Sequence, residues 1–102
     1  MAFKNGMRPV HPGEVLREEY LRLLDMSVNA LAKRLGIPTS RLNDVVLERR
    51  GVSPDTAMRL ARCFGGDARS WLNLQTAHDL RLAEIEKAKE IERTVQPLRQ
   101  SA

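Results

Sequence analysis

The chain has 102 residues with 17 Lys and Arg against 13 Asp and Glu, a formal net charge of +4. This length is enough for one small domain with a modest core, but not for an elaborate enzyme cleft. Residues 1–66 carry 11 basic and 7 acidic side chains, whereas residues 67–102 carry six of each, so the first two-thirds hold the field that would attract phosphate.

Cysteine content and hydropathy narrow the class of protein further. The single cysteine, Cys63, excludes an internal disulfide framework and lies in an apolar helical run, where a buried, inert thiol is expected. The chain has no signal-like start and no apolar run of about 18 residues, which a membrane span would need. These features predict a soluble cytoplasmic protein.

The first part of the chain predicts a flexible arm followed by a helix. Residues 1–10 are broken by Gly6 and Pro9 and are expected to be a loose N-terminal arm. Pro12 begins the first helix, and acidic residues follow it near the positive end of the helix dipole. The expected apolar face comprises Val15, Leu16, Tyr20, Leu23 and Leu24.

Residues 28–47 predict two short helices joined by a sharp turn, the pattern of a helix-turn-helix. Ser27 is a good N-cap for the first of them, and Gly36 lies where that helix would end in a left-handed cap. Ala32 must be small because the next helix crosses closely over it. That next helix is expected over about residues 38–47, with Leu42, Val45 and Val46 facing inward.

Two further helices complete an all-α chain. Ser53 followed by Pro54 and Asp55 is a typical helix start, and the fourth helix should bury Ala57, Met58, Leu60, Ala61 and Phe64. Asp67 caps a long fifth helix, which Pro97 ends before a disordered terminus. The expected organisation is an arm at residues 1–10, a DNA-binding domain at 11–83, and a charged helical extension with a tail at 84–102.

The outward face of the third helix carries the candidate DNA contacts. Thr39 and Ser40 present small polar groups at its start, where a recognition helix meets base edges, and Asp44 can accept a hydrogen bond from cytosine N4. Arg49 and Arg50, in the following loop, suit phosphates, and the helix start at Ser27 offers backbone N–H groups to a phosphate. Arg41 and Asn43 flank this face as candidates for base or phosphate contacts. The acidic groups of Asp44 and Glu48 repel phosphate and therefore favour selective readout.

No pattern in the sequence indicates catalysis, a metal site or a cofactor. His11 and His78 have no partners at metal-ligand spacing, so zinc is not expected. Trp71 is expected as a core anchor, since aromatic residues make up only 4% of the chain and offer no stacking surface. Neither a phosphate-binding glycine loop nor a nucleophile with a paired base is present, so an enzyme is not expected.

Three stretches together resemble a known family. HPGEVLREEYL, SVNALAKRLGIPTSRLNDVVLERRGVSPDTAMRLARCFG and WLNLQTAHDLRLA are similar to the HigA-type antitoxins of the XRE/Cro-like helix-turn-helix superfamily. The resemblance covers roughly residues 10–83, and its first and last stretches are the family-specific ones. It implies a five-helix, lambda-repressor-like domain, here with an extended C-terminal helix.

The resemblance also implies partners and residue roles. The family binds palindromic operator DNA as a homodimer, represses its own operon and neutralises a HigB-type toxin, a RelE-like mRNA-cleaving ribonuclease. By alignment, base reading falls on Thr39, Ser40 and Asp44. Pro38 departs from the usual small polar N-cap. Phosphate-proximal positions fall on Ser27, Arg41, Asn43 and Arg49.

Two other interpretations remain open from the sequence. One is a free-standing XRE-type repressor without a toxin partner. The other is a helical interaction module with vestigial DNA binding, which would use an apolar stripe on the fifth helix. That stripe consists of Leu74, Leu82, Ile85 and Ala88.

Overall fold

The structure is a computed structural model that describes residues 8–98. Most of the predicted arm, residues 1–7, and the expected disordered end, residues 99–102, lie outside the described residues. Within the described part the chain is helical, without strands, and consists of five helices in the predicted order. The all-α, five-helix prediction is therefore confirmed.

The first helix, α1, changes character along its length. It starts as an α-helix over Pro12–Val15 and continues as a π-helix over Leu16–Leu21. The wider π turn, in which N–H groups bond five residues back, places Leu16 and Leu21 on one buried face. The expected apolar face was therefore wrong at Leu23 and Leu24, which are 75% and 53% exposed.

The predicted helix-turn-helix is formed by α2, Val28–Leu35, and α3, Thr39–Val46. Gly36 has φ +71°, and the following N–H of Ile37 bonds back to the carbonyl of Ala32 at 3.1 Å. Ala32 is fully buried, as its predicted role requires. Pro38 has extended backbone and is the N-cap of α3, so the helix begins one residue later than expected.

The fourth and fifth helices, α4 over Pro54–Phe64 and α5 over Ala68–Thr94, pack against each other and close the core. Trp71 is buried beside Tyr20, with ring centroids 5.5 Å apart, which confirms it as a core anchor. Met58 is 65% exposed, contrary to expectation, because the covered face of α4 runs through Ala57 and Leu60. The core is built from Leu16, Leu21, Leu31, Ala32, Leu35, Ile37, Leu42, Val45, Val46, Val52, Ala57, Leu60 and Trp71.

The end of α5 leaves the core. The helix passes through residues 83 and 84 without interruption, and residues 82–94 are exposed. Cys63 is a free thiol that is only half-buried, rather than fully buried as expected. No helix within residues 8–98 combines the length and apolar character needed to cross a membrane.

Candidate nucleic-acid interface

The inward and outward faces of α3 are those that its sequence predicts. Leu42, Val45 and Val46 are buried, which fixes the rotation of the helix against the core. Thr39 and Ser40 are exposed at its start, whereas Asn43 and Asp44 are half-buried further along. The outward surface of α3 therefore begins with two small hydroxyl side chains at its N-terminal tip.

The start of α2 lies next to the start of α3. The Thr39 hydroxyl donates a hydrogen bond of 2.8 Å to Oδ1 of Asn29 in α2. The Ser27 side chain caps α2 by accepting the Ala30 N–H at 3.0 Å, as predicted. The exposed N-terminus of α2, with its outward N–H groups, is thus held beside the tip of α3.

Asn29 is a member of this surface that sequence reasoning missed. Its carboxamide is exposed, and its oxygen orients the Thr39 hydroxyl, while its NH₂ group remains a donor. Asn29 lies two residues after the predicted N-cap Ser27, on a polar helix face, and this position was the one feature that could have indicated it. No local pattern distinguished it from an ordinary solvated residue.

Arg49 and Asp44, predicted to have separate roles, contact each other. Nε and Nη2 of Arg49 both donate to Oδ1 of Asp44, at 3.1 and 2.7 Å. Both bonds go to Oδ1, so a cytosine that donates to Asp44 would meet a carboxylate already paired with Arg49. The structure therefore couples the candidate base reader to the candidate phosphate contact.

The loop after α3 brings Arg49 back over Asp44. The Arg49 N–H bonds to the Asp44 carbonyl at 2.7 Å and the Glu48 N–H to the Val45 carbonyl at 2.9 Å, the two bonds of a Schellman cap. Glu48 occupies its left-handed position with φ +65°. Arg50 is exposed beside Arg49, and its N–H also approaches the Asp44 carbonyl, at 3.2 Å.

Arg41 is directed toward α4. Its Nη2 lies 3.3 Å from the Asp55 carboxylate, which also accepts from Nε of Arg59 at 2.9 Å. Arg59 in turn donates to the carbonyl of Leu35 at 2.8 Å. This chain of contacts links the end of α2, the start of α3 and the start of α4, so the contacts of Arg41 in the structure support the helix arrangement.

A second residue that sequence reasoning missed holds the other end of α3. Arg17, in the π-helical part of α1, donates from Nη1 to the Val46 carbonyl and from Nη2 to Glu48 at 3.2 Å. Burial alone would lower the pKa of Arg17, but its hydrogen bonds to Glu18 and Glu48 outweigh burial and raise that pKa. Its separation of 29 residues from Val46 leaves no local sequence signal.

The two histidines form a packed pair near the N-terminus of α1. The His11 and His78 ring centroids lie 4.9 Å apart in an edge-to-face arrangement, and Nδ1 of His11 accepts the Gly13 N–H at 2.8 Å. Within residues 8–98, no group of three or more His, Cys, Asp or Glu side chains is arranged to hold a metal ion.

Comparison with known proteins places this geometry in a family. Residues 16–71 match the family described as Helix-turn-helix. Virulence-associated protein I of Dichelobacter nodosus is 58% identical over 86 residues, which are 84% of this chain and 80% of that protein.

Two solved structures share both the fold and much of the sequence. The antitoxin GraA in complex with its operator has a TM-score of 0.86 and 52% identity, covering 93% of this chain and 96% of GraA. The Pseudomonas aeruginosa antitoxin HigA with the higBA promoter has a TM-score of 0.86 and 45% identity, covering 89% of this chain and 99% of that HigA chain. The chain belongs to the helix-turn-helix family and, within it, to the HigA-type antitoxins, as its sequence resemblance indicated.

Proposed function

We propose that the chain is a cytoplasmic, DNA-binding antitoxin that represses its own operon and neutralises a RelE/HigB-like mRNA-cleaving toxin. The observation that carries the DNA-binding part is the surface on which the tip of α3, the start of α2 and the Arg49–Arg50 loop lie together. Relatives with this fold are solved with operator or promoter DNA, which supports the same ligand here. The protein acts by binding, with no catalytic step, metal or cofactor.

On this proposal, the exposed groups divide by role. Ser40 and Thr39 meet base edges in the major groove, and Asp44 adds selectivity there. Arg49, Arg50 and the N–H groups at Ser27 neutralise or bind phosphates, which fixes the position of α3 on the duplex. Asn43 lies beside these groups as a further contact, and Arg41 contributes through the packing of α3 against α4.

A homodimer with a two-fold axis would place two α3 tips on one palindromic operator. Half-sites then lie about one helical turn, roughly 34 Å, apart. Binding should weaken with salt, and log K should fall by roughly 0.9 per phosphate neutralised for each tenfold rise in salt.

The DNA test compares two exposed positions with different roles. Arg50→Ala should weaken binding of the protein's own upstream DNA and of scrambled DNA of equal length alike, whereas Ser40→Ala should lower the preference for the protein's own DNA by about 1–3 kcal/mol. Arg50 is chosen because Arg49 also contacts Asp44. Arg93→Ala, at the exposed end of α5, controls for the loss of one positive charge. Identical affinities of wild-type protein for both DNAs would contradict sequence-specific repression.

The toxin test is genetic and biochemical. Co-expression with the neighbouring reading frame should rescue cells from growth arrest caused by that frame alone, and the two proteins should co-purify. If DNA binding is specific but neither rescue nor co-purification occurs, the chain is a free-standing repressor and the toxin part of the proposal is wrong.

A further inference from the structure

Two unusual backbone features meet at one contact, between Arg17 and Glu48. The π-helical stretch Leu16–Leu21 carries Arg17, and Glu48 has a left-handed backbone. Short π-helical segments and left-handed non-glycine residues are both uncommon, and both concentrate at functional sites. The side chains of Arg17 and Glu48 form an ion pair of 3.2 Å.

The position of Glu48 is one that glycine usually occupies. It follows the last turn of α3 and closes the Schellman cap through its own N–H and that of Arg49. A side chain there is unfavourable because Cβ approaches the following carbonyl in the left-handed conformation. Glu48 adopts this backbone while its carboxylate accepts a hydrogen bond from Arg17, a contact that glycine would not supply.

Arg17 connects that side chain to the helix it follows. One guanidinium nitrogen binds the carbonyl of Val46, the last residue of α3, and another binds the Glu48 carboxylate. These two bonds hold the end of α3 and the start of the loop to α1. Arg49 and Arg50 leave the helix immediately after this contact, and Arg49 is directed back to Asp44.

We propose that Arg17 and Glu48 are positioning residues that set the direction of the Arg49–Arg50 loop and thereby the discrimination of α3 between DNA sequences. Neither residue needs to touch DNA for this role. The inference rests on the proposed DNA-binding function, because the direction of the Arg49–Arg50 loop affects binding only if the loop and α3 contact the same DNA duplex.

The deciding variant is Glu48→Gly, because it separates stability from positioning. Glycine relieves the left-handed backbone, so the unfolding midpoint should stay within the experimental error of wild type or rise. The ratio of affinities for the protein's own upstream DNA and for scrambled DNA should fall by about tenfold, equivalent to about 1.4 kcal/mol. Amide hydrogen exchange at Arg49 and Arg50 should become faster in the absence of DNA.

Asp25→Gly is the matched control. Asp25 is an exposed acidic residue with φ +53°, so this change removes the same charge and introduces glycine at the same kind of backbone position. Loss of the Asp25 charge should raise the affinity for both DNAs alike and leave the ratio of the two affinities unchanged. Arg17→Met should reproduce the loss of discrimination, and combining it with Glu48→Gly should lower the ratio no further.

The outcomes distinguish this inference from the proposed function. If wild type prefers its own DNA and Glu48→Gly keeps both that preference and the wild-type exchange rates, the positioning role is wrong while the repressor function stands. If wild type shows no preference for its own DNA, the proposed function fails, and the inference fails with it.

Discussion

Gly13 in α1 lies directly against the carbonyl group of Val45 in α3. A Cβ atom built on Gly13 would lie 2.0 Å from that carbonyl oxygen, far inside any tolerated contact. The start of α1 therefore crosses the backbone of the proposed recognition helix, and only glycine permits this approach. The glycine that follows Pro12 therefore sets the distance between α1 and α3.

Gly13→Ala should destabilise the fold, since either α1 or α3 would have to move. Overpacking of this kind costs about 1–3 kcal/mol of the free energy of unfolding, measurable by urea denaturation. Glu19→Ala, at an exposed position of the same helix, is the control and should change stability by no more than about 0.5 kcal/mol. Equal stability of Gly13→Ala and wild type would refute the close approach.

Asn29 and Thr39 should act as a unit in DNA binding. Asn29→Ala frees the Thr39 hydroxyl, and Thr39→Val removes that hydroxyl, so each should weaken binding to the protein's own DNA by about threefold to tenfold, or about 0.7–1.4 kcal/mol. Fluorescence anisotropy would measure both. The double variant should bind about as well as the weaker single one, and fully additive losses would mean that the two side chains act independently.

Protonation of His11 should destabilise the protein below neutral pH. Burial is the main cause that lowers the pKa of His11 below its ordinary 6.5, and the nearby His78 is the second. Arg17 also lowers this pKa, whereas Glu48 and Asp79 raise it without reversing the shift. The folded state therefore binds fewer protons than the unfolded one near this pH. The contribution of neutral His11 to the free energy of unfolding is complete above pH 6.5 and is lost as the pH falls through the lower pKa of the folded state.

Urea unfolding at pH 7.5 and 5.5 would test this effect. His11→Asn retains an oxygen that can cap Gly13 without titrating in this range, so its loss of stability between the two pH values should be smaller than that of wild type. A loss of equal size in both proteins would assign the pH dependence to other groups.

Ending the chain after Ala83 should leave the globular part folded. Trp71 is the only buried residue that α5 contributes within the described part of the chain, and residues 82–94 are exposed. The thermal midpoint should therefore change little, while the helical signal in circular dichroism falls with the removed segment. If the truncated chain no longer unfolded in a cooperative thermal transition, the extension would be needed to support the core.

The same truncation tests the apolar stripe of α5. Leu74 of this stripe packs against the core, and Leu82 stays in the truncated chain, so the truncation removes the exposed Ile85 and Ala88. A wild-type dimer that becomes a monomer by mass in solution would place the dimer seam in this extension. An unchanged dimer would place it elsewhere.

The sequence by itself determined the features that depend on neighbouring residues. The caps at Ser27, Ser53 and Asp67, and the left-handed turn at Gly36, all appear where short-range patterns predicted them. The helical period likewise identified the buried side of α3. These features depend on hydrogen bonds and spacing within four or five residues, so one stretch of sequence contains the required information.

Tertiary structure decided which faces are covered and which side chains meet. The π-helix selected Leu21 over Leu23 for the core, and the placement of α4 left Met58 in solvent. Arg17 reaches the end of α3 across 29 residues. The pair between Asp44 and Arg49 depends on the left-handed backbone at Glu48. The covered faces and the reach of Arg17 depend on how helices distant in sequence pack, which periodicity cannot predict. The Asp44–Arg49 pair is local, but it depends on a left-handed backbone that a glutamate rarely adopts.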